Sequence, residues 1–321
     1  MGSHSNTHPD CSPVTCRISF QIAQLQAGLR LDHFLAQHLP EVSRSQLTSS
    51  IRAGDILVNG AVRKSGYRLK PEERITGHIS PPAAIDVKPE NIQLTILYED
   101  EYLLIISKPP GLVVHPGSGN ASGTLVNGLL HHCSSLAGVG DSIRPGLVHR
   151  LDKDTSGVMV IAKRDDVHRK LVDAFKARTM QKEYTALVHG ILARPQGRLV
   201  AAIGRHPVHR QKMAVREVGG RYAATYWQVI KDFCRMYSLL TVGIETGRTH
   251  QIRVHMAHLG HPVAGDRLYG RGGSHFPRQM LHASRIRFVH PATGEALDFE
   301  APLWPDFVAV LEELEQQAAC K

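Results

Sequence analysis

The sequence predicts an α+β protein: a large part built on a mixed, largely antiparallel sheet flanked by helices and loops, preceded by a small α+β unit. Three observations predict it. From Leu94 onward, apolar runs of strand length outnumber stretches of helical period and do not alternate strictly with them, which disfavours a doubly wound parallel sheet. Before residue 80 the pattern is instead two short amphipathic helices followed by a hairpin. The 321 residues suffice for one domain of roughly 200 residues and another of about 60, each able to bury a core.

Residues 1–16 are polar and contain Ser and Pro, the composition of a disordered tail. The opening MGSHSNTHPD lacks the apolar stretch of a secretory signal. Ordered structure is expected from Arg17, in a small domain over 17–80. Leu29, Leu31, Phe34, Leu35, His38 and Leu39 recur at helical spacing, and Pro40 stops that helix. Ser43 and Gln46 form a capping box ahead of Leu47 and Ile51, and Gly54 marks the end of the second helix. Ile56, Leu57 and Val58, the Asn59-Gly60 turn, and Ala61-Val62 read as a hairpin. Arg44, Arg52, Arg63, Lys64, Arg68 and Lys70 make this unit basic. The Pro-rich 81–91 region reads as a semi-rigid linker.

A large domain is expected over 92–316. TILYEDEYLLIISKPPG reads as strand, turn and strand; GVMVIAKR as a buried strand; VHRKLVDAFKAR as a helix with Val167, Leu171, Val172 and Phe175 on one face. EYTALVHGIL, RYAATYWQVI and YSLLTVGIET follow as strands, and TGRTHQIRVHMAHLG as a helix with Gly247 at its start.

Composition narrows the function. A net charge of +9 and a pI near 9.4 favour a polyanionic partner, and no basic amphipathic helix or lipidation signal points to lipid. No run of about 18 apolar residues suggests a membrane span, so a cytoplasmic location is expected. The five cysteines are scattered and never in a C-x-x-C arrangement, which argues against a disulfide framework or a structural zinc site. No interface pattern is visible, and a monomer is the default expectation.

The most informative stretch is His149-Arg150-Leu151-Asp152-Lys153-Asp154-Thr155-Ser156-Gly157. Cations flank Asp152 and favour its ionised form, the form a carboxylate nucleophile needs. An aspartate between Arg and Lys is also what a loop ion pair looks like, so this segment alone does not decide.

HRLDKDTSG resembles the signature of the RluA-type pseudouridine synthases. In the same order follow the family-like stretches KPPGLVVHPG at 108–117, KEYTALVHG at 182–190, GRTHQIRVHMAHLGHPVAGDRLYG at 247–270 and LHAS at 281–284. VHPGSGNASGTLVNGLLHH and GRHPVHRQKMAV resemble most the RluD branch, which acts on large-subunit ribosomal RNA. Residues 28–80 resemble the small RNA-binding domain named after ribosomal protein S-four. Ser107 departs from the asparagine more usual before Lys-Pro, at what reads as a turn.

The resemblance implies a cofactor-free isomerisation of uridine to pseudouridine. Asp152 would be the nucleophile, attacking either the pyrimidine ring or the anomeric carbon; the glycosidic bond breaks, the uracil rotates while held, and carbon replaces nitrogen at the sugar. The uridine must first be flipped out, at a cost of a few kcal/mol. Arg150 would fill the vacated space or hold the flipped nucleotide. Tyr184 would stack on the uracil, a contact that tolerates rotation, and could share in the final proton removal. Arg253 would pair with the Asp152 carboxylate. His149, Leu151, Lys108, Arg248 and His250 are expected around the substrate, and Arg44, Arg52, Arg63 and Lys64 on RNA.

Other chemistries fit less well. His250, His255, His258 and His261 cluster, but no carboxylate completes an H-E-x-x-H pattern. Asp152 and Asp154 lie too close in one loop for a glycosidase pair. GVGD and GRGGS lack the nucleotide-binding glycine patterns, and no G-x-S-x-G elbow is present. Neither a metal nor a nucleotide cofactor is expected. The expected partner is large-subunit ribosomal RNA or its precursor particle. Rival readings are a catalytically silent RNA-binding or ribosome-assembly protein of the same fold, and a synthase acting on transfer RNA.

Overall fold

Asn59 and Gly60 take φ of 50° and 74°, the left-handed geometry that a two-residue hairpin turn requires. That turn anchors the small unit. In a computed structural model, which describes residues 11–12, 15–40, 42, 44–79, 87–117, 119–141, 144–209, 211–270 and 275–319, the chain divides into Met1–Ile85 and Asp86–Lys321.

The first unit contains β1 (Cys11–Ser12), β2 (Thr15–Gln21), α1 (Leu31–His38), α2 (Arg44–Ala53), β3 (Ile56–Val58), β4 (Ala61–Val62) and β5 (Arg74–Ile79). Its strands form an antiparallel sheet in the order β1-β2-β5-β3-β4. The apolar faces of both helices supply Leu31, Phe34, Leu35, Leu47 and Ile51 to a core closed by Ile56, Val58 and Ile75. One expectation changes here. The chain is already paired before Arg17, because Thr15 and Cys16 register with Ser12 and Cys11, and main-chain pairing leaves no trace in side-chain composition. The Ser43–Gln46 capping box lies outside the described residues.

The second unit carries β6 (Ile96–Glu99), β7 (Leu103–Lys108), α3 (Leu125–His132), β8 (Gly140–Asp141), β9 (Arg144–Pro145), β10 (Ser156–Ala162), α4 (Asp165–Ala177), β11 (Gln181–His189), β12 (Gln196–Val200), β13 (Ile203–Arg205), β14 (Met213–Val215), β15 (Ala224–Phe233), β16 (Tyr237–Ile244), α5 (Gln251–His258), β17 (Leu281–Val289), β18 (Ala296–Glu300) and α6 (Pro305–Ala319). Its main sheet runs β12-β15-β16-β11-β17-β10-β7-β6, with β18 added on β17. Only β10 and β17 pair in parallel among the described strands, so the sheet is mixed and largely antiparallel, as its non-alternating pattern predicts.

β10 is buried along its whole length because β7 and β17 flank it, which explains its unbroken apolar run. At its start Gly157 takes φ 115°, and a Cβ there would meet the Ala283 carbonyl oxygen at 2.2 Å. Only glycine lets β10 and β17 converge at this point.

The linker is shorter than its composition suggests. Val87 is buried in the core of the second unit, Asn127 Nδ2 donates to the Lys88 carbonyl at 2.8 Å, and the Gly123 N–H donates to Glu90. Residues 87–91 therefore belong to the large unit, and 80–86 lie outside the described residues. Ser107 is likewise not at a turn: it sits buried in β7, where Trp304 Nε1 donates to its hydroxyl at 3.2 Å.

Candidate active site

The loop that carries Asp152 is bounded by Pro145 and β10, and it is fastened residue by residue from beneath. Lys108 Nζ donates to the Lys153 carbonyl at 2.9 Å, and also to the Pro109 and Leu112 carbonyls at 2.7 and 3.0 Å. Arg278 Nη1 donates to the Asp154 carbonyl at 3.0 Å, Gln279 Nε2 to Thr155 Oγ1 at 2.7 Å, and Arg278 Nη2 to Ser156 Oγ at 3.1 Å. Arg278 is itself fixed by Asp306 through Nε at 2.6 Å and Nη2 at 3.1 Å. Backbone acceptors that would otherwise be buried without donors are thereby satisfied.

From above, Asp152 is held by α5. Arg253 Nη1 donates to Asp152 Oδ2 at 2.8 Å, while Nε and Nη2 form a bidentate pair with Asp266 at 2.7 and 2.9 Å. One guanidinium thus spans two carboxylates, and its planar fork fixes both directions. Asp266 is fully buried as a side chain. Burial alone would push its carboxyl up, but the Arg253 bonds and the N–H groups of Tyr269 and Leu268 outweigh that and hold it below the usual carboxylate range. Burial likewise opposes the Arg253 charge, and the two carboxylates overcome it and raise that group. Gly265, at φ 75°, places Asp266: a Cβ there would meet the Arg278 carbonyl oxygen at 1.8 Å.

His250 opens α5 at φ 56°, an uncommon conformation for a residue with a side chain. Its Nδ1 shares a 2.8 Å hydrogen bond with the Tyr269 hydroxyl, which also accepts the Met213 N–H at 2.8 Å. Its Nε2 then faces Asp152 Oδ1 at 3.8 Å, and burial lowers its pKa, so the ring is neutral near pH 7. The Tyr269 ring covers the Arg253 guanidinium at 5.1 Å, shielding the ion pair.

Asp152 opens onto a cleft of about 550 Å³ whose walls include Tyr184, Ile244, Arg150, Arg248 and Leu281. Tyr184, from β11, is 9% exposed, and burial first, then the Asp152 charge, raises its pKa. Its phenol is neutral near pH 7.

The RNA pseudouridylate synthase family matches residues 102–258, and the S4 domain family matches 29–75. The chain is 42% identical over 299 residues to the uncharacterized RNA pseudouridine synthase YlyB of Bacillus subtilis, covering 93% of this chain and 98% of that one. It is 43% identical to the ribosomal large subunit pseudouridine synthase D of Pseudomonas aeruginosa, covering 90% and 93%.

The chain belongs to the RNA pseudouridine synthase family.

Among solved structures, human RNA pseudouridylate synthase domain containing 1 superposes with a TM-score of 0.55 at 25% identity, covering 75% of this pseudouridine synthase and 98% of the human chain.

The site of this synthase gathers Asp152, Tyr184, Arg253, Arg150, Leu151, Arg248 and His250 around one cleft. Two further expected substrate contacts are absent from this cleft: Lys108 lies under the loop, and His149 lines the neighbouring groove. Lys108 is fully buried, its three N–H groups are taken by the carbonyls named above, and burial lowers its pKa to about 7. It supports the loop and does not reach substrate. His149 Nε2 accepts the Val160 N–H at 2.9 Å and its ring stacks on Phe175, while burial lowers its pKa to about 3. It is a neutral anchor between the loop and β10. Arg150 is exposed and contacts His115 Nε2 at 3.3 Å. Arg248 Nε donates to the Tyr222 carbonyl at 3.1 Å.

The clustered histidines have local tasks. His255 bonds Thr225 Oγ1 and the Ala201 carbonyl, and His261 bonds the His189 carbonyl. In the small unit Arg52, Arg63 and Lys64 are exposed, with the Arg63 guanidinium over the Tyr67 ring at 5.1 Å; the Arg44 side chain lies outside the described residues. Sequence reasoning missed Asp266, Tyr269 and Arg278. A signal existed for the first: an arginine buried on a helix needs more anion than one part-buried carboxylate provides, and Gly265-Asp266 follows α5 closely.

Proposed function

We propose that this pseudouridine synthase isomerises specific uridines of large-subunit ribosomal RNA, with Asp152 attacking a uridine flipped out of its stack. The observation that carries the reading is the Arg253 bridge. Asp152 faces the cleft from one end of a guanidinium whose other edge is locked to buried Asp266, so the carboxylate is aimed without being enclosed. Preorganisation of this kind is what a nucleophile attacking a bound base needs.

The remaining walls suit the steps that follow. Tyr184 offers a ring for the uracil to turn against, and its raised pKa gives it a stacking role in preference to that of a phenoxide base. Exposed Arg150 is free to move toward the space that the flipped nucleotide leaves. In the net reaction the bond from uracil nitrogen to the anomeric carbon breaks, one from uracil carbon forms, and that carbon's proton is exchanged for one on nitrogen. The ribosomal target is supported by the similarity to relatives named for large-subunit RNA, together with the S4 domain.

The test is to incubate the full chain, with EDTA present, on large-subunit ribosomal RNA and on transfer RNA, and to map pseudouridine by carbodiimide primer extension. Stops in the ribosomal transcript are expected. Stops confined to transfer RNA would move the substrate, and stops in neither RNA would favour a binding-only protein.

A further inference from the structure

Beside the uridine cleft lies a second, open groove of about 1140 Å³, which shares Arg150, Tyr184, Ile244, Gly247 and Arg248 with it. Its own floor is different. Lys182 stands two residues before Tyr184 on β11, so both side chains leave the same face of the strand. The Lys182 ammonium lies over the Phe175 ring at 5.5 Å, and among the described residues it has no hydrogen bond or ion pair. Burial alone lowers its pKa, to about 8, and no neighbouring carboxylate restores it.

Its surroundings make that isolation unusual. Arg150, Lys176, Arg178 and Arg248 also line the groove, against one carboxylate, Glu245. Glu245 is already engaged by Arg198 at 2.6 Å and by the Tyr222 hydroxyl at 3.1 Å. The Lys182 ammonium is half-buried, whereas the fully buried cations under the catalytic loop each have a full set of acceptors. Lys182 has no such acceptor among the described residues, and it stands half-buried on the wall of an open groove that an outside anion can enter.

We propose that this groove binds a phosphodiester of the RNA strand immediately next to the target uridine, with Lys182 as its central charge partner. The proposal rests on the reading of RNA uridine as substrate. A base held against Tyr184 leaves its neighbouring phosphate within reach of a groove that shares that tyrosine as a wall. The charge is sequence-independent, so the contact sets the register of the strand and does not read bases.

The test measures binding of the full chain to a large-subunit ribosomal RNA fragment over a range of salt concentrations, for wild type, Lys182→Met, Lys182→Gln and Lys182→Arg. Loss of one phosphate contact lowers the slope of log affinity against log salt by roughly 0.7 and weakens binding roughly tenfold at fixed salt. Both charge-removing variants are expected to show this, with unchanged melting temperature, while Lys182→Arg keeps the wild-type slope. Unchanged slopes in folded Lys182→Met and Lys182→Gln would overturn the proposal and leave Lys182 as packing on Phe175. A melting temperature that rises with inorganic phosphate beyond matched chloride, in wild type only and without a slope change, would move the site to a free phosphate and overturn its assignment to RNA. Absence of pseudouridine in wild-type product would break the catalytic reading, whereas the salt slope reports on the groove whether or not turnover occurs.

Discussion

The two sides of the Asp152 loop treat positive charge in opposite ways. Beneath the loop, Lys108 and Arg278 are almost fully buried and spend their donors on main-chain carbonyls, Ser156 and Asp306. On the cleft side, Arg150 is exposed and Lys182 has no acceptor among the described residues. Arg253 lies between these extremes: it is buried, saturated at Asp266, and offers one N–H to a carboxylate that still sees solvent. Cations with complete sets of acceptors define a shape; those left short of them are where the proposed RNA phosphate would sit.

If that division is right, the two sides fail differently when broken. The largest effect belongs underneath. Arg278→Ala removes the partner of part-exposed Asp306 and the donors to Asp154, Gln279, Leu281 and Ser156, and leaving such buried acceptors unmade costs roughly 1–3 kcal/mol each. The urea midpoint should fall accordingly, and a near-normal midpoint would show that the loop does not depend on its cationic support.

Asp266→Asn is intermediate. The fold should survive, but Arg253 loses the carboxylate that sets its angle, and small misplacements of catalytic groups cost on the order of 10²-fold in rate. Single-turnover pseudouridine formation at saturating RNA checks this; a change in RNA affinity alone, with the rate preserved, would place Asp266 in binding.

The smallest effect is a pH dependence of the same residue. Because the folded carboxyl of Asp266 is held below its ordinary value, its stabilising contribution is present above the unfolded pKa of about 3.9. It is lost as pH falls through the folded value. Wild type should therefore lose stability more steeply on acidification than Asp266→Asn, as urea midpoints from neutral pH down toward the carboxylate range would reveal. Parallel profiles would contradict the linkage.

The legible part of this molecule is the part written locally. β10 and α4 follow from an apolar run and a helical period, and the Asn59-Gly60 hairpin from the backbone conformations its residues permit. Asp152, Tyr184 and Arg253 came from resemblance, because nothing near Asp152 announces a partner 101 residues away. Lys108 was misread for a related reason. Lys-Pro-Pro-Gly looks like a surface turn, yet one of the three carbonyls that take the lysine's donors belongs to Lys153, brought close only when β7 pairs with β10. Asp266 and Arg278 stayed hidden because their roles depend on α5 and the loop meeting in space, which no periodicity encodes. The early pairing of Cys11 and Ser12 escaped because it is made by the main chain.

The central claim is that Asp152, aimed by Arg253, performs the first covalent step. Its most direct test compares wild type and Asp152→Asn on the same large-subunit ribosomal RNA, measuring pseudouridine formed and RNA bound in parallel. The account predicts that the variant binds RNA as wild type does and forms no pseudouridine, since the substitution preserves shape and removes the nucleophilic carboxylate. Pseudouridine formed by folded Asp152→Asn would contradict it.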